Sequence, residues 1–394
     1  MSLFERVHDR RDSRSVKWER MEKVYGIGDA SDILPMWVAD MDFPAPPAVT
    51  DALRERLEHP IFGYSYICEE CKTAAANWQK KRHGLSIDTD WMLFHQGVIP
   101  AMASIIDVFT THGDKVLVTP PVYPPFFSIP KNLGRDVLYS ELKEQDGEYT
   151  IDFADFEDKL QDARLFILCN PHNPGGKLWT SAELEHIIRL CAQHDVLILS
   201  DEIHSDLIHQ GEIHIPLLSV AGSERDRIFT CLAPTKTFNL AGIQAAMIVA
   251  ADPHKRNLLD KHMQAHGTGS LNAFAPVAWK AAYEEGEPWL DELLDVLSSH
   301  ISFAVERLER EVPGLKINKP QSTYLLWIDY RALGLSEDEA MQRLLRDGKV
   351  ALEAGSKYGE SGRGFLRMNI ACPRTTLEDG ISRVIRALGT DYNT

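Results

Sequence analysis

Two side chains of this sequence have the type and setting for covalent chemistry. Lys236 stands in Thr230-Cys231-Leu232-Ala233-Pro234-Thr235-Lys236-Thr237-Phe238, just past a short apolar run. Asp201 follows a second run, Val196-Leu197-Ile198-Leu199-Ser200. Unbroken apolar runs of this length read as buried strands. In open α/β sheets a ligand lies beyond the carboxyl ends of the strands, so one sheet would bring an amine and an acid to the same place. The amine could form a Schiff base with pyridoxal phosphate. A carboxylate facing the pyridine nitrogen would keep the ring protonated and able to accept electrons from a substrate carbanion. Taken singly, Lys236 reads as one surface lysine among many and Asp201 as an ordinary helix N-cap. Their joint placement after two apolar strands favours the cofactor reading.

Other residues have weaker claims. Asn170-Pro171-His172-Asn173-Pro174-Gly175-Gly176 is a constrained loop after the apolar run Leu165–Cys169, able to aim the Asn173 amide into a site or to be a plain tight turn. Tyr123, between prolines in Pro120-Pro121-Val122-Tyr123-Pro124-Pro125, offers a flat stacking surface or merely covers the core. Gly97-Val98-Ile99 follows a short strand and opens a helix, where free N–H groups can hold a phosphate, although most such turns bind nothing. Arg367, between Leu366 and Met368, needs an anionic partner if buried. On spacing alone a structural Asp or Glu is favoured over a substrate carboxylate. Cys68-Glu69-Glu70-Cys71 has half the spacing of a zinc site but no matching second pair, so no metal is expected.

These residues need elements to hold them. The chain has 394 residues, 44% hydrophobic and 25% charged, the composition of a globular protein with more than one core. A formal charge of −16 argues against nucleic acid or an anionic membrane as partner. The charged start and the six cysteines, several of them inside apolar strands, suggest a cytoplasmic protein with reduced thiols. The segment Ile33–Pro47 is broken by prolines and reads as an extended arm. Helical patterns cover Pro47–Leu57, Cys71–His83 and a long connector, Trp289–Glu311. Strands at Thr323–Asp329 and Gly364–Ile370, with helices Ser336–Arg346 and Thr375–Leu388, outline a small C-terminal α+β unit.

Together these stretches resemble the fold-type I pyridoxal-phosphate enzymes, the aspartate aminotransferase superfamily, and within it the MalY/PatB group of cystathionine β-lyases. The resemblance spans the chain and is carried by Leu34-Pro35-Met36-Trp37-Val38-Ala39-Asp40-Met41-Asp42-Phe43, Phe62-Gly63-Tyr64, Cys169-Asn170-Pro171-His172-Asn173-Pro174, Ser200-Asp201-Glu202-Ile203-His204-Ser205-Asp206, Ala233-Pro234-Thr235-Lys236-Thr237-Phe238-Asn239, Pro288-Trp289-Leu290 and Leu366-Arg367-Met368-Asn369. It implies an α/β fold with a mostly parallel seven-stranded sheet between helices. The expected divisions are an arm and small-domain segment at 1–48, a large cofactor domain at 49–288 and a small domain at 289–394.

By position, the resemblance implies Lys236 as the Schiff-base lysine, Asp201 on the pyridine nitrogen, Asn173 on the ring hydroxyl and Tyr123 stacked on the ring. Val98, Ile99 and Thr235 would hold the phosphate, with Tyr64 reaching in from the neighbouring subunit of a homodimer with shared sites. Arg367 would bind the substrate carboxylate, beside Ala39 and Asn173, and His204 would serve the cofactor or pack beside Asp201. Two positions depart from the wider superfamily: Ala233 replaces a common serine and Gln244 a common phosphate-binding arginine. The implied reaction is α,β-elimination from cystathionine and related cysteine S-conjugates to thiol, pyruvate and ammonia. An aminotransferase, or a regulatory binding protein on the same scaffold, is the alternative.

Overall fold

The computed structural model describes residues 2–145 and 147–389. Seven strands make the main sheet: β1 (Met92–His95), β2 (Lys115–Val118), β3 (Asp136–Tyr139), β4 (Ala163–Cys169), β5 (Leu197–Asp201), β6 (Ile228–Leu232) and β7 (Ala246–Ala250). Their order is β1-β7-β6-β5-β4-β2-β3. Only β7 runs against its neighbours, β1 and β6; the other pairs are parallel. Strands β5 and β6 are buried at every position. Helices cover both faces of such a sheet, so its strands are written as unbroken apolar runs.

Alternate residues face opposite ways. Val116, Ile167, Leu199 and Cys231 pack with the helix Val98–Phe109, while Leu117, Phe166, Leu168 and Ile198 pack with the helix Ser181–Gln193. Thr180 and Glu183 close a reciprocal capping box on the latter helix. Strands β2 and β3 lie on one side of β4, and β5 and its successors on the other, so the chain switches direction there. That is where a crevice opens beyond the strand ends.

The helix Glu287–Glu311, 25 residues and about 37 Å long, leads to a second sheet. It is antiparallel, with β8 (Lys316–Ile317), β9 (Leu325–Asp329), β10 (Glu353–Ala354) and β11 (Phe365–Asn369) in the order β8-β9-β11-β10. Leu326, Ile328, Leu366 and Met368 pack against Leu377, Ile381 and Val384 of the helix Arg374–Leu388. Leu34–Pro35 of the arm pairs in parallel with Val350–Ala351, and Leu34 and Met36 join this core. A few residues on, Met41 and Phe43 pack into the core beside the main sheet. The arm thereby crosses from one unit to the other.

The helix expected over Ser336–Arg346 is regular only over Glu337–Arg343 and then widens into a π turn, Leu344–Gly348. Strand β3 escaped the sequence reading because it lies at the sheet edge and is only partly buried, which blurs its pattern. All six cysteines are free, and Cys68 Sγ lies 3.2 Å from Cys71 Sγ. Among the described residues no group of three or more His, Cys, Asp or Glu is placed to hold a metal ion. No helix among them is long and apolar enough to cross a membrane.

Candidate active site

Three residues lie side by side in register at the carboxyl ends of the central strands: Cys169, Asp201 and Cys231. Their successors supply the site. Asn173 follows β4, His204 follows β5, and Lys236 follows β6. Asp201 is 6% exposed and accepts a hydrogen bond from the Ile203 N–H at 3.2 Å. It therefore makes an Asx-type turn and caps no helix. Burial raises the thiols of Cys169 and Cys231, so both flank Asp201 as neutral groups. Burial also pushes Asp201 itself up to about 7, against the Ile203 N–H and the charge of Lys236. A buried carboxylate with one backbone donor fits a cationic ring nitrogen.

Lys236 belongs to a single helical turn, Pro234–Thr237, and is half-buried rather than a surface lysine. Its Nζ donates to the Ala39 carbonyl at 2.5 Å. Burial pulls its amine down to about 8, and Arg367 adds to the effect; Asp40 and Asp201 oppose it. An amine that sheds its proton near neutrality can attack an aldehyde or take a carbon-bound proton.

Asn173 is buried, and its side-chain oxygen accepts from Arg367 Nη1 at 3.3 Å. That leaves its NH2 group as the donor available to a ligand. Tyr123 packs in one apolar cluster with Val98, Ala233 and Ile203, and burial raises its phenol. Val98 and Ile99 open the helix Val98–Phe109. Their N–H groups have no intrahelical acceptor, and Pro100 follows them. His204 is buried, its Nδ1 has no partner among the described residues, and burial lowers the ring to about 3. It is a neutral imidazole. Gln244 is exposed, and neither it nor Ala233 can supply a charge here.

Arg367 has the structural carboxylate that its setting in the sequence favoured. Its Nη2 donates to Glu353 at 2.6 Å and to the Trp37 carbonyl at 2.9 Å. Its buried Nε has no acceptor among the described residues, so the guanidinium is not saturated. Sequence reasoning missed the groups that hold the arm over the site. The Ala39 carbonyl also accepts from the Tyr324 hydroxyl at 2.9 Å, and Asn369 donates to the Val38 and Asp40 carbonyls. Asn239, at φ 56°, brackets Met41 and donates to Phe43. The left-handed asparagine in Phe238-Asn239-Leu240 was the one local signal for this clamp.

The structure thus gathers Lys236, Asp201, Asn173, Tyr123, His204, Arg367 and Ala39, with the helix start at Val98 beside Tyr123. Tyr64 is fully exposed, with no hydrogen bond or ion pair to these residues among the described ones.

A model of the aminotransferase class I and II family matches residues 31–384 of this chain. The chain belongs to that family. Cystathionine beta-lyase PatB from Bacillus subtilis (strain 168) is 46% identical over 387 residues, covering 98% of this chain and 99% of the relative. Cystalysin from Treponema denticola, which contains pyridoxal 5'-phosphate, superimposes with a TM-score of 0.94 at 32% identity, covering 98% of each chain. The PLP-bound C-S lyase from Staphylococcus hominis gives 0.91 at 31%, covering 98% of this chain and 97% of the other.

Proposed function

We propose that this protein is a pyridoxal-phosphate-dependent carbon–sulfur β-lyase that converts L-cystathionine and related cysteine S-conjugates to thiol, pyruvate and ammonia. The observation that carries the reading is the pairing of half-buried Lys236 with buried Asp201, each in a setting that disfavours its charged form. Elimination, rather than transamination, is favoured by the relatives named as cystathionine and C-S lyases.

Bound here, pyridoxal phosphate would supply an aldehyde for an amine and a ring that accepts electrons. Lys236 would hold the cofactor through Nζ, and the same amine, when free, would be the base for the substrate's α-proton. An amine at about 8 is partly neutral at physiological pH, as a base must be. Asp201 would hold a proton on the ring nitrogen. Asn173 would donate its NH2 to the ring hydroxyl, and Tyr123 would pack on the ring. His204, neutral and buried, fills space beside Asp201.

The Val98 and Ile99 N–H groups, with the Thr235 hydroxyl, would hold the phosphate without help from Ala233 or Gln244. Tyr64 completes the phosphate site of a partner subunit in a homodimer. Supporting this, Ile61, Phe62, Tyr64 and Tyr66 are exposed together, an apolar patch of the kind that marks an interface. Arg367 grips the α-carboxylate, oriented by Glu353, and Ala39 lines the substrate side. The test is to add L-cystathionine to the yellow protein without any keto acid and to measure pyruvate. Pyruvate release supports the lyase; product that appears only with a keto acid acceptor makes it an aminotransferase.

A further inference from the structure

A single helical turn cannot hold its own shape in isolation, yet the turn Pro234–Thr237 carries the reactive amine. What fixes it lies in the residues just after the lysine, each tied to a different part of the chain. Asn239 is bound to the arm at Met41 and Phe43. Phe238 is buried edge-on against Trp78, with ring centroids 5.5 Å apart. Thr237, fully buried, donates from Oγ1 to Asp206 Oδ2 at 2.7 Å.

Asp206 is a buried carboxylate with no part in the chemistry above. Its Oδ1 accepts from Trp78 Nε1 and meets His83 Nε2, both at 2.8 Å. Burial opposes its ionisation, but the hydrogen bonds from His83, Thr237 and Trp78 prevail and hold it below the ordinary carboxylate range. The His83 ring contacts His214 at 5.4 Å, and His214 Nε2 lies 3.1 Å from Glu202 Oε2. Glu202 also accepts from Ser200 and the Leu217 N–H. The segment 201–206 is therefore held at both ends, with Asp201 at one end and Asp206 at the other. Trp78 serves twice, since it donates to Asp206 and packs on Phe238.

We propose that Asp206 is the positioning residue for Lys236. Through Thr237 it joins the turn that carries the amine to the segment that carries Asp201, and so sets the separation of the two reactive groups. The inference rests on Lys236 being the imine-forming base. A shift of about 1 Å at a reacting group costs on the order of 100-fold in rate, so the brace matters to turnover as well as to folding.

Three variants test it. Asp206→Asn puts a donor where donors already converge, Thr237→Val removes the hydroxyl at constant shape, and Thr237→Ser keeps the bond. Each is compared with wild type for kcat and KM on L-cystathionine. Each is also compared, before cofactor is added, for the pH midpoint at which acetic anhydride labels the Lys236 amine, read by mass spectrometry. Asp206→Asn and Thr237→Val should lose about 10- to 100-fold in kcat with KM within about twofold. Their labelling midpoint should move by about 0.5 pH or more, and Thr237→Ser should match wild type on both measures. If Asp206→Asn does not fold, Thr237→Val against Thr237→Ser carries the comparison. Variants that melt earlier but keep the wild-type midpoint and kcat would overturn the inference and leave Asp206 a folding residue. A wild-type protein with neither visible absorbance nor pyruvate release would instead sink the lyase reading, a separate result.

Discussion

Asp201→Asn should make the cofactor-free protein more stable while removing its activity. In the folded chain the carboxyl lies at about 7 against an ordinary 3.8, chiefly because it is buried with one backbone donor. A group whose folded value lies above its unfolded one keeps its proton longer in the native state. Between pH 3.8 and about 7 the native state binds more protons than the unfolded state, so stability falls as pH rises through that window. The difference is worth about 4 kcal/mol once pH exceeds 7, at about 1.36 kcal/mol per pH unit.

Buried histidines such as His172 and His204, whose folded values are lowered, contribute in the opposite sense as pH rises towards 6.5. They are common to both proteins and cancel in the comparison. The assay is denaturant unfolding of wild type and Asp201→Asn without cofactor at several pH values from about 4.5, inside the window, to about 8, above it. The variant's advantage should grow across the window and level off above it. Added pyridoxal phosphate should then stabilise wild type more than the variant, because only wild type gains a partner for a buried charge. An advantage that does not change with pH, or a variant less stable at pH 8, would refute the argument that Asp201 is held ready for a cation.

Lys236→Ala should lose the visible absorbance of lysine-bound cofactor and all turnover; thiol release at the wild-type rate would remove Lys236 from the mechanism. Arg367→Lys keeps the charge but loses the planar fork, and should raise KM for L-cystathionine by about tenfold or more with a smaller change in kcat; an unchanged KM would assign the arginine to Glu353 alone. Mixing Tyr64→Ala subunits with Lys236→Ala subunits should restore activity that neither has alone, because each hybrid dimer would hold one site with an intact lysine and the partner's intact tyrosine. No recovery in verified hybrids would place Tyr64 outside the site.

The main sheet was legible because buried parallel strands need apolar side chains on both faces, and Leu197–Asp201 and Ile228–Leu232 are written that way. The positions of Asp201, Asn173 and Lys236 followed, since a residue just past a strand end must lie at the rim of the sheet. The sequence alone therefore determined that an amine and an acid follow two neighbouring buried strands at one end of the sheet. It could not decide what surrounds them. Arg367 reaches Trp37 across 330 positions and Glu353 across 14, and Thr237 meets Asp206 across 31. Such contacts leave no periodicity or turn chemistry behind, because they are fixed only when the arm, the helix Glu69–His83 and the second sheet close on one another. Burial follows from the same closure. It is burial, a property of the assembled fold, that moves Asp201 up and Lys236 down and so makes the pair fit for chemistry.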